Sequence, residues 1–320
     1  VSDVVFRPLA AGELDLFHAY PAEPGAEVGE RSRSYDEEVA GGEYRPGWVW
    51  VALRGGEVVA RAAFWAPAGF PHPFSLDRFD PGVGPDRVDL GAGLLRAAYA
   101  ALVPPDYTAP PHPAGGRPDY HLFLPADWRD QPVARAAATT RIAAAERAGL
   151  RLFVQRLNLR WTSADGLPPR STRLVFTEAT DDRVVTDVLA RVCTATLDAY
   201  AQRDIAEVGR RRAAEQTIEE VAAMPGGRAW WRLAHDQAGA LVGIVMPTRN
   251  SSTATIGYLG VVPEHRGRHY SDDLVTEALH LFAAAGCTEA NDNTDIGNTP
   301  MAATFARVGY HVTGHRMILT

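Results

Sequence analysis

The chain has 320 residues, 46% of them hydrophobic and 22% charged, which is enough for two ordinary domains. All 32 basic residues are arginine, which excludes a lysine Schiff base and the lysine of a Walker-type phosphate loop. A formal charge of −7 argues against bulk nucleic-acid binding, and no apolar run reaches the roughly 18 residues of a membrane span. The first residues carry Asp3, Arg7, Glu13 and Asp15, unlike the apolar stretch of a secretory signal. Cys193 and Cys287 lie far apart, so neither a disulfide framework nor a thiolate metal site is expected, and the reading is cytoplasmic.

In chain order, Val5-Phe6-Arg7-Pro8-Leu9 opens a short apolar strand. Trp48 to Leu53 follows and turns through Gly55-Gly56 into Val58-Val59-Ala60, a hairpin pattern whose tryptophans read as core or interface aromatics. Pro104 to Pro118 reads as an irregular proline-rich loop, and His72, His112 and His121 around it lack metal-ligand spacing. An alanine-rich helix then ends at Gly149, the position where a left-handed residue closes a helix. Ala164 to Arg170, with its glycine and paired prolines, reads as a linker.

The order then repeats. Val175-Phe176-Thr177-Glu178-Ala179 matches the first strand, and Trp230-Trp231-Arg232-Leu233-Ala234 turns near Gly239 into Leu241 to Val245. Arg210-Arg211-Arg212 beside Glu207 and Glu215 reads as a solvated helix face. A second alanine-containing helix ends at Gly309, 160 residues after Gly149, and Arg316 stands 160 after Arg156. The expectation is an α/β protein, a mixed central sheet flanked by helices, built as two copies: residues 1–165 and 170–320.

Between these landmarks lies Gly257-Tyr258-Leu259-Gly260-Val261-Val262-Pro263-Glu264-His265-Arg266-Gly267-Arg268-His269-Tyr270-Ser271. Leu274, Ala278, Leu279 and Phe282 recur at helical spacing after it, so residues 271–285 are expected to be an amphipathic helix. Strand, basic turn and helix start present main-chain N–H groups and a positive dipole end, which suits a pyrophosphate.

This Val-x-Pro-x-x-Arg-Gly-Arg stretch resembles motif A of the GNAT superfamily of acyl-CoA-dependent N-acyltransferases. The run Asp292 to Met301, then Phe305 and Gly309-Tyr310, is similar to that superfamily's Asn-containing helix start and its Gly-aromatic ending. The two-copy layout resembles tandem members such as mycothiol synthases. The resemblance implies that the strand of Leu259, Gly260 and Val261 splays from its neighbour and pairs with pantetheine. It further implies that Arg266, Gly267, Arg268, His269, Tyr270 and Ser271 hold the pyrophosphate, with Asn298 near the pantetheine or sulfur. The reaction implied is direct attack of a small-molecule primary amine on acetyl-CoA, with no covalent enzyme intermediate, no metal and no membrane or nucleic-acid partner.

Three positions depart from the family pattern. His269 stands where a glycine is usual, Phe305 replaces a frequent tyrosine acid, and Gly257 replaces a frequent glutamate base. Tyr258, His265 and Asp292 are left as the catalytic candidates, with Asp295 a further titratable neighbour, and a non-catalytic GNAT-like binding protein is the alternative. In the first copy, aligning Pro85 on Pro263 puts Asp89 inside the turn and Gly91-Ala92-Gly93 opposite His269-Tyr270-Ser271. A carboxylate repels pyrophosphate, so that copy reads as degenerate. Acceptor identity and oligomeric state carry no motif.

Overall fold

The computed structural model describes residues 4–21, 33–103, 116–250 and 252–320. In chain order the regular elements are β1 Val4–Pro8, α1 Tyr35–Ala40, β2 Val49–Arg54, β3 Glu57–Trp65, β4 Ser75–Asp80, α2 Arg87–Leu102, β5 Asp119–Pro125, α3 Pro132–Arg147 and β6 Leu152–Thr162. They continue as β7 Leu174–Glu178, α4 Asp182–Val192, α5 Ala199–Ala223, β8 Arg232–Asp236, β9 Leu241–Arg249, β10 Ala254–Val261, α6 Tyr270–Ala284, β11 Glu289–Asp295, α7 Thr299–Arg307 and β12 His311–Leu319. Most of the proline-rich stretch expected to be a loop, with His112, lies outside the described residues.

The chain forms two compact units, residues 1–155 with 314–320 and residues 156–313. The first has the strand order β1-β2-β3-β4-β5-β12; the second has β7-β8-β9-β10-β11-β6. In each, the first four strands pair antiparallel and the fifth joins parallel to the fourth. Each sheet is therefore mixed, and the two copies follow one plan.

The boundary differs from the expected linker at 164–170. Residues 156–162 of β6 pair antiparallel with β11, from Arg156↔Asp295 to Thr162↔Glu289. Residues 314–319 of β12 pair with β5, from Gly314↔Pro125 to Leu319↔Tyr120. Each half thus gives its last strand to the other half's sheet, and the division falls at 155/156 because ladder hydrogen bonds, not linker composition, decide where a strand belongs. Buried Met317 and Leu319 join the core of the first unit; Leu159 and Trp161 join that of the second.

The helices form where apolar spacing and caps agree. Leu274, Val275, Ala278, Leu279 and Phe282 bury one face of α6, each worth about 1.5–3 kcal/mol for a large side chain. The expected C-terminal glycines are present in left-handed conformation, Gly149 at φ 98° and Gly309 at φ 100°. Trp48, Trp50 and Trp231 are core residues, and Trp230 packs against the core of the second unit. Arg211 and Arg212 pair with Glu215, the solvated-face pattern expected of the arginine run. Among the described residues no helix is long and apolar enough to cross a membrane.

Candidate functional site

The second unit opens where β10 leaves β11. The two strands share the parallel rung Ala254↔Ala290 and no later one. At the next inward position the Ile256 N–H donates to the carboxylate of Asp292 at 2.7 Å, not to a main-chain carbonyl. On its other side β10 carries a bulge against β9 between Ile256 and Tyr258, opposite Pro247, which has no N–H for a ladder. Leu259, Gly260 and Val261 continue along β9 with no β11 partner. The expected splay is thus present, and main-chain groups on one side of this stretch face an opening.

Glycine at two positions lets this strand lie close to the helices beneath it. A Cβ on Gly260 would stand 2.1 Å from Val192 Cγ1, and one on Gly257 would stand 2.6 Å from Val221 Cγ1. A glutamate base at 257 has no room here, because α5 fills its place.

Past Pro263 the chain turns into α6. The main-chain N–H groups of Gly267, Arg268, His269, Tyr270 and Ser271 have no acceptor among the described residues. They form an arc at the positive end of a long helix, an arrangement complementary to a dianion. His269 caps α6 at φ 60° and ψ 23°, the left-handed region where glycine is usual. Its backbone therefore does what a glycine would, while its side chain is 65% exposed and lies 3.9 Å from Asp272. The imidazole does not fill the turn.

The arginines divide by partner. Arg266 donates from Nη1 to the Thr194 carbonyl at 2.7 Å, from Nη2 to that of Val192 at 2.6 Å and from Nε to that of Val261 at 3.1 Å. Three of its five guanidinium N–H groups thus close the C-terminal end of α4, a role the sequence reading, which expected a phosphate contact, did not include. Arg268 is exposed and its side chain has no partner among the described residues, so its charge is the one available in the turn. Arg173, which sequence reading missed, donates to the carbonyls of Arg268 and His269, pairs with Asp273 and stands 4.9 Å over the Tyr270 ring. Nearby acids are likewise neutralised: Asp272 by Arg307 at 2.7 Å and Glu264 by Arg191. Ser271 hydrogen-bonds Thr304 at 2.7 Å, tying α6 to α7. Asn298 caps α7, its side chain accepting from Met301 N at 3.4 Å, and its amide NH₂ has no partner among the described residues.

The three catalytic candidates are not brought together by any hydrogen bond. The Tyr258 hydroxyl meets the Cys193 thiol at 3.5 Å, and burial pushes its pKa well above the usual phenol value. His265 lies in the turn with its ring edge-on to Tyr270. Asp292 is 5% exposed and accepts from Tyr310 at 2.7 Å, Ile256 N at 2.7 Å and the Thr255 hydroxyl at 3.1 Å. Burial raises its pKa to about 6, against the lowering effect of those three donors. Asp295 pairs with Arg156 and accepts from Ala199 N at 2.6 Å. Phe305 is buried at 2% against Tyr310, so no proton donor stands there.

The first unit repeats the plan with different contents. Its β4 and β5 also part after two rungs, Ser75↔Asp119 and Leu76↔Tyr120. There the buried Arg141 donates to the Phe79 carbonyl at 2.8 Å and pairs with Asp80, whose other oxygen takes Arg61 at 2.6 Å. Its helix α2 starts at Arg87, so Gly91 and Gly93 sit inside the helix, not in a turn. A Cβ at Gly91 would meet Pro81 at 2.4 Å and one at Gly93 would meet Phe6 at 2.7 Å, so these glycines serve packing. The alignment that set them opposite His269 and Ser271 is corrected accordingly.

With this geometry in hand, comparisons agree on the architecture. Residues 196–310 match the model of the acetyltransferase (GNAT) family. No curated protein matches the chain. A GCN5-related N-acetyltransferase from Sphaerobacter thermophilus superposes with a TM-score of 0.58 at 16% identity, over 99% of this chain and 94% of that one. A tandem GNAT protein from the clavulanic acid biosynthesis pathway gives 0.53 at 19% identity, over 99% and 98%. A glucosamine N-acetyltransferase region of a fungal multi-domain GH3 beta-N-acetylglucosaminidase gives 0.54 at 14% identity, over 100% of this chain and 38% of that one. These likenesses establish a tandem GNAT fold.

Proposed function

From a chain with a tandem GNAT fold whose residues 196–310 carry the GNAT acetyltransferase match, we propose an acyl-CoA-dependent N-acyltransferase that moves acetyl from acetyl-CoA to a small-molecule primary amine. The single observation that carries this reading is the turn after β10, where the N–H groups of Gly267 to Ser271 stand without acceptors beside a splayed strand. A diphosphate fits that arc, with Arg268 supplying charge and Arg173 holding the turn in shape. The open side of Leu259 to Val261 would pair with the amide groups of the pantetheine arm, and the NH₂ of Asn298 would donate to it.

In the reaction the amine nitrogen bonds to the thioester carbon and gives up one proton to water, the carbon–sulfur bond breaks, and the leaving thiolate takes up a proton. Holding the two reactants in line supplies much of the catalysis. A main-chain N–H of the open strand is placed to polarise the carbonyl oxygen. We assign Tyr258 as the proton donor: it follows the bulge directly, and among the described residues its hydroxyl meets only the Cys193 thiol. His265 belongs to the phosphate end. The first unit is a degenerate copy, its opening closed by Arg141 and Asp80. Free Cys193 and Cys287 suit work in the cytoplasm.

A CoA-release assay over an amine panel tests this reading. Turnover with at least one amine is expected, and Tyr258→Phe should lower kcat by about 10²-fold, the scale of acid catalysis, with KM for acetyl-CoA little changed. The second reading, a GNAT-like protein that binds CoA without turnover, is favoured by Phe305 and by the lack of room for a base at Gly257. Binding without release by any amine would select it.

A further inference from the structure

The ladder between β10 and β11 ends at a side chain. In a continuing parallel pair the Ile256 N–H would donate to a β11 main-chain carbonyl. The Asp292 carboxylate takes that N–H instead, at 2.7 Å, and the same oxygen takes the Thr255 hydroxyl at 3.1 Å. Its other oxygen takes the Tyr310 hydroxyl at 2.7 Å. Meanwhile Asp292 keeps its own main chain in register with Leu159 of β6, so β11 holds its course and β10 is the strand that departs. The bulge of β10 against β9 falls at the same level, between Ile256 and Tyr258.

The first unit provides the contrast. After its last rung at Tyr120, β5 continues with His121 and Leu122, so β5 brings no carboxylate to β4, and a guanidinium from α3, paired with Asp80 of β4 itself, covers the β4 carbonyl of Phe79. Both openings exist, yet only the second is ended by an acid anchored from behind by a tyrosine.

Building on the acyl-CoA reading above, we infer that Asp292 is a positioning residue for the acyl donor: with Tyr310 it forms the floor of the splay and fixes which β10 groups the pantetheine arm meets. Asp292 touches no reacting atom in this account. It acts through Ile256, whose fixed N–H sets the start of the open stretch at Leu259 to Val261.

The test is a calorimetric titration of folded protein with acetyl-CoA. Asp292→Ala removes the spacer and should weaken binding about tenfold, the loss of one well-made hydrogen bond. Asp292→Asn keeps an oxygen for Ile256 N–H and should restore affinity to within about threefold. Where Asp292→Ala fails to fold, Tyr310→Phe serves: it frees one carboxylate oxygen, and a weakening of about threefold is expected with the circular dichroism spectrum unchanged. Wild-type affinity in folded Asp292→Ala, or in Tyr310→Phe where that is the variant measured, overturns the inference. Absence of binding by the wild-type protein would instead overturn the acyl-CoA reading on which it rests.

Discussion

Arg266 and Arg268 stand two residues apart in one turn and do different work. Three of the five guanidinium N–H donors of Arg266 go to carbonyls of Val261, Val192 and Thr194, so Arg266→Ala should act first on stability. Leaving the end of α4 uncapped should cost about 1–3 kcal/mol, read as a lower urea midpoint; an unchanged midpoint would contradict this. Asp292 makes a prediction of its own in pH. Its folded pKa of about 6 lies above the ordinary 3.8, so its contribution to stability is complete below 3.8 and is lost as pH rises through 6. Asp292→Asn has no such titration. Its stability relative to the wild type should therefore rise by up to about 3 kcal/mol from pH 4 to pH 7.5, and parallel profiles would refute the assignment. The residues of the turn were legible because a strand, a proline and a basic run follow one another in sequence. The Val192 and Thr194 partners of Arg266 and the clamp from Arg173 were not, because they come from segments 72–96 residues away and only the fold brings them in.

At the level of elements, β10 is shaped by what it cannot accommodate. It has a bulge where Pro247 offers no N–H and glycines where α4 and α5 approach. Gly260→Ala would place a methyl 2.1 Å from Val192 Cγ1, which must shift α4 or the strand. A loss of about 1–3 kcal/mol is expected from this overpacking, measured by thermal or urea unfolding, and a neutral variant would show that α4 yields freely. Apolar periodicity made α6 readable, and Gly149 and Gly309 marked the helix ends correctly. The first unit's turn was misaligned for a physical reason. Glycine pairs look alike whether they admit a phosphate or the side chains of Pro81 and Phe6, and only the start of α2 at Arg87 tells the two apart.

Across the whole molecule, repetition was visible as the 160-residue offset of Gly149 and Gly309, but the exchange of last strands was not. β6 alternates apolar and polar residues from Leu157 to Thr162 and β12 ends on the apolar run Met317-Ile318-Leu319, and neither pattern names the strand it will pair with. The copies have diverged at their openings. One holds Arg141, Asp80 and Arg61 and carries Asp86 and Asp89 at its helix start; the other carries an arc of N–H groups without acceptors among the described residues. The account therefore assigns a single donor site to each chain, in the second unit. Calorimetric titration with acetyl-CoA of the wild type and of Arg268→Glu tests it most directly, since the exposed side chain of Arg268 has no partner to lose among the described residues. One equivalent bound per chain is expected, with an affinity at least about tenfold weaker in Arg268→Glu, where a carboxylate meets the diphosphate. Two equivalents, none, or equal affinity in the two proteins would contradict it.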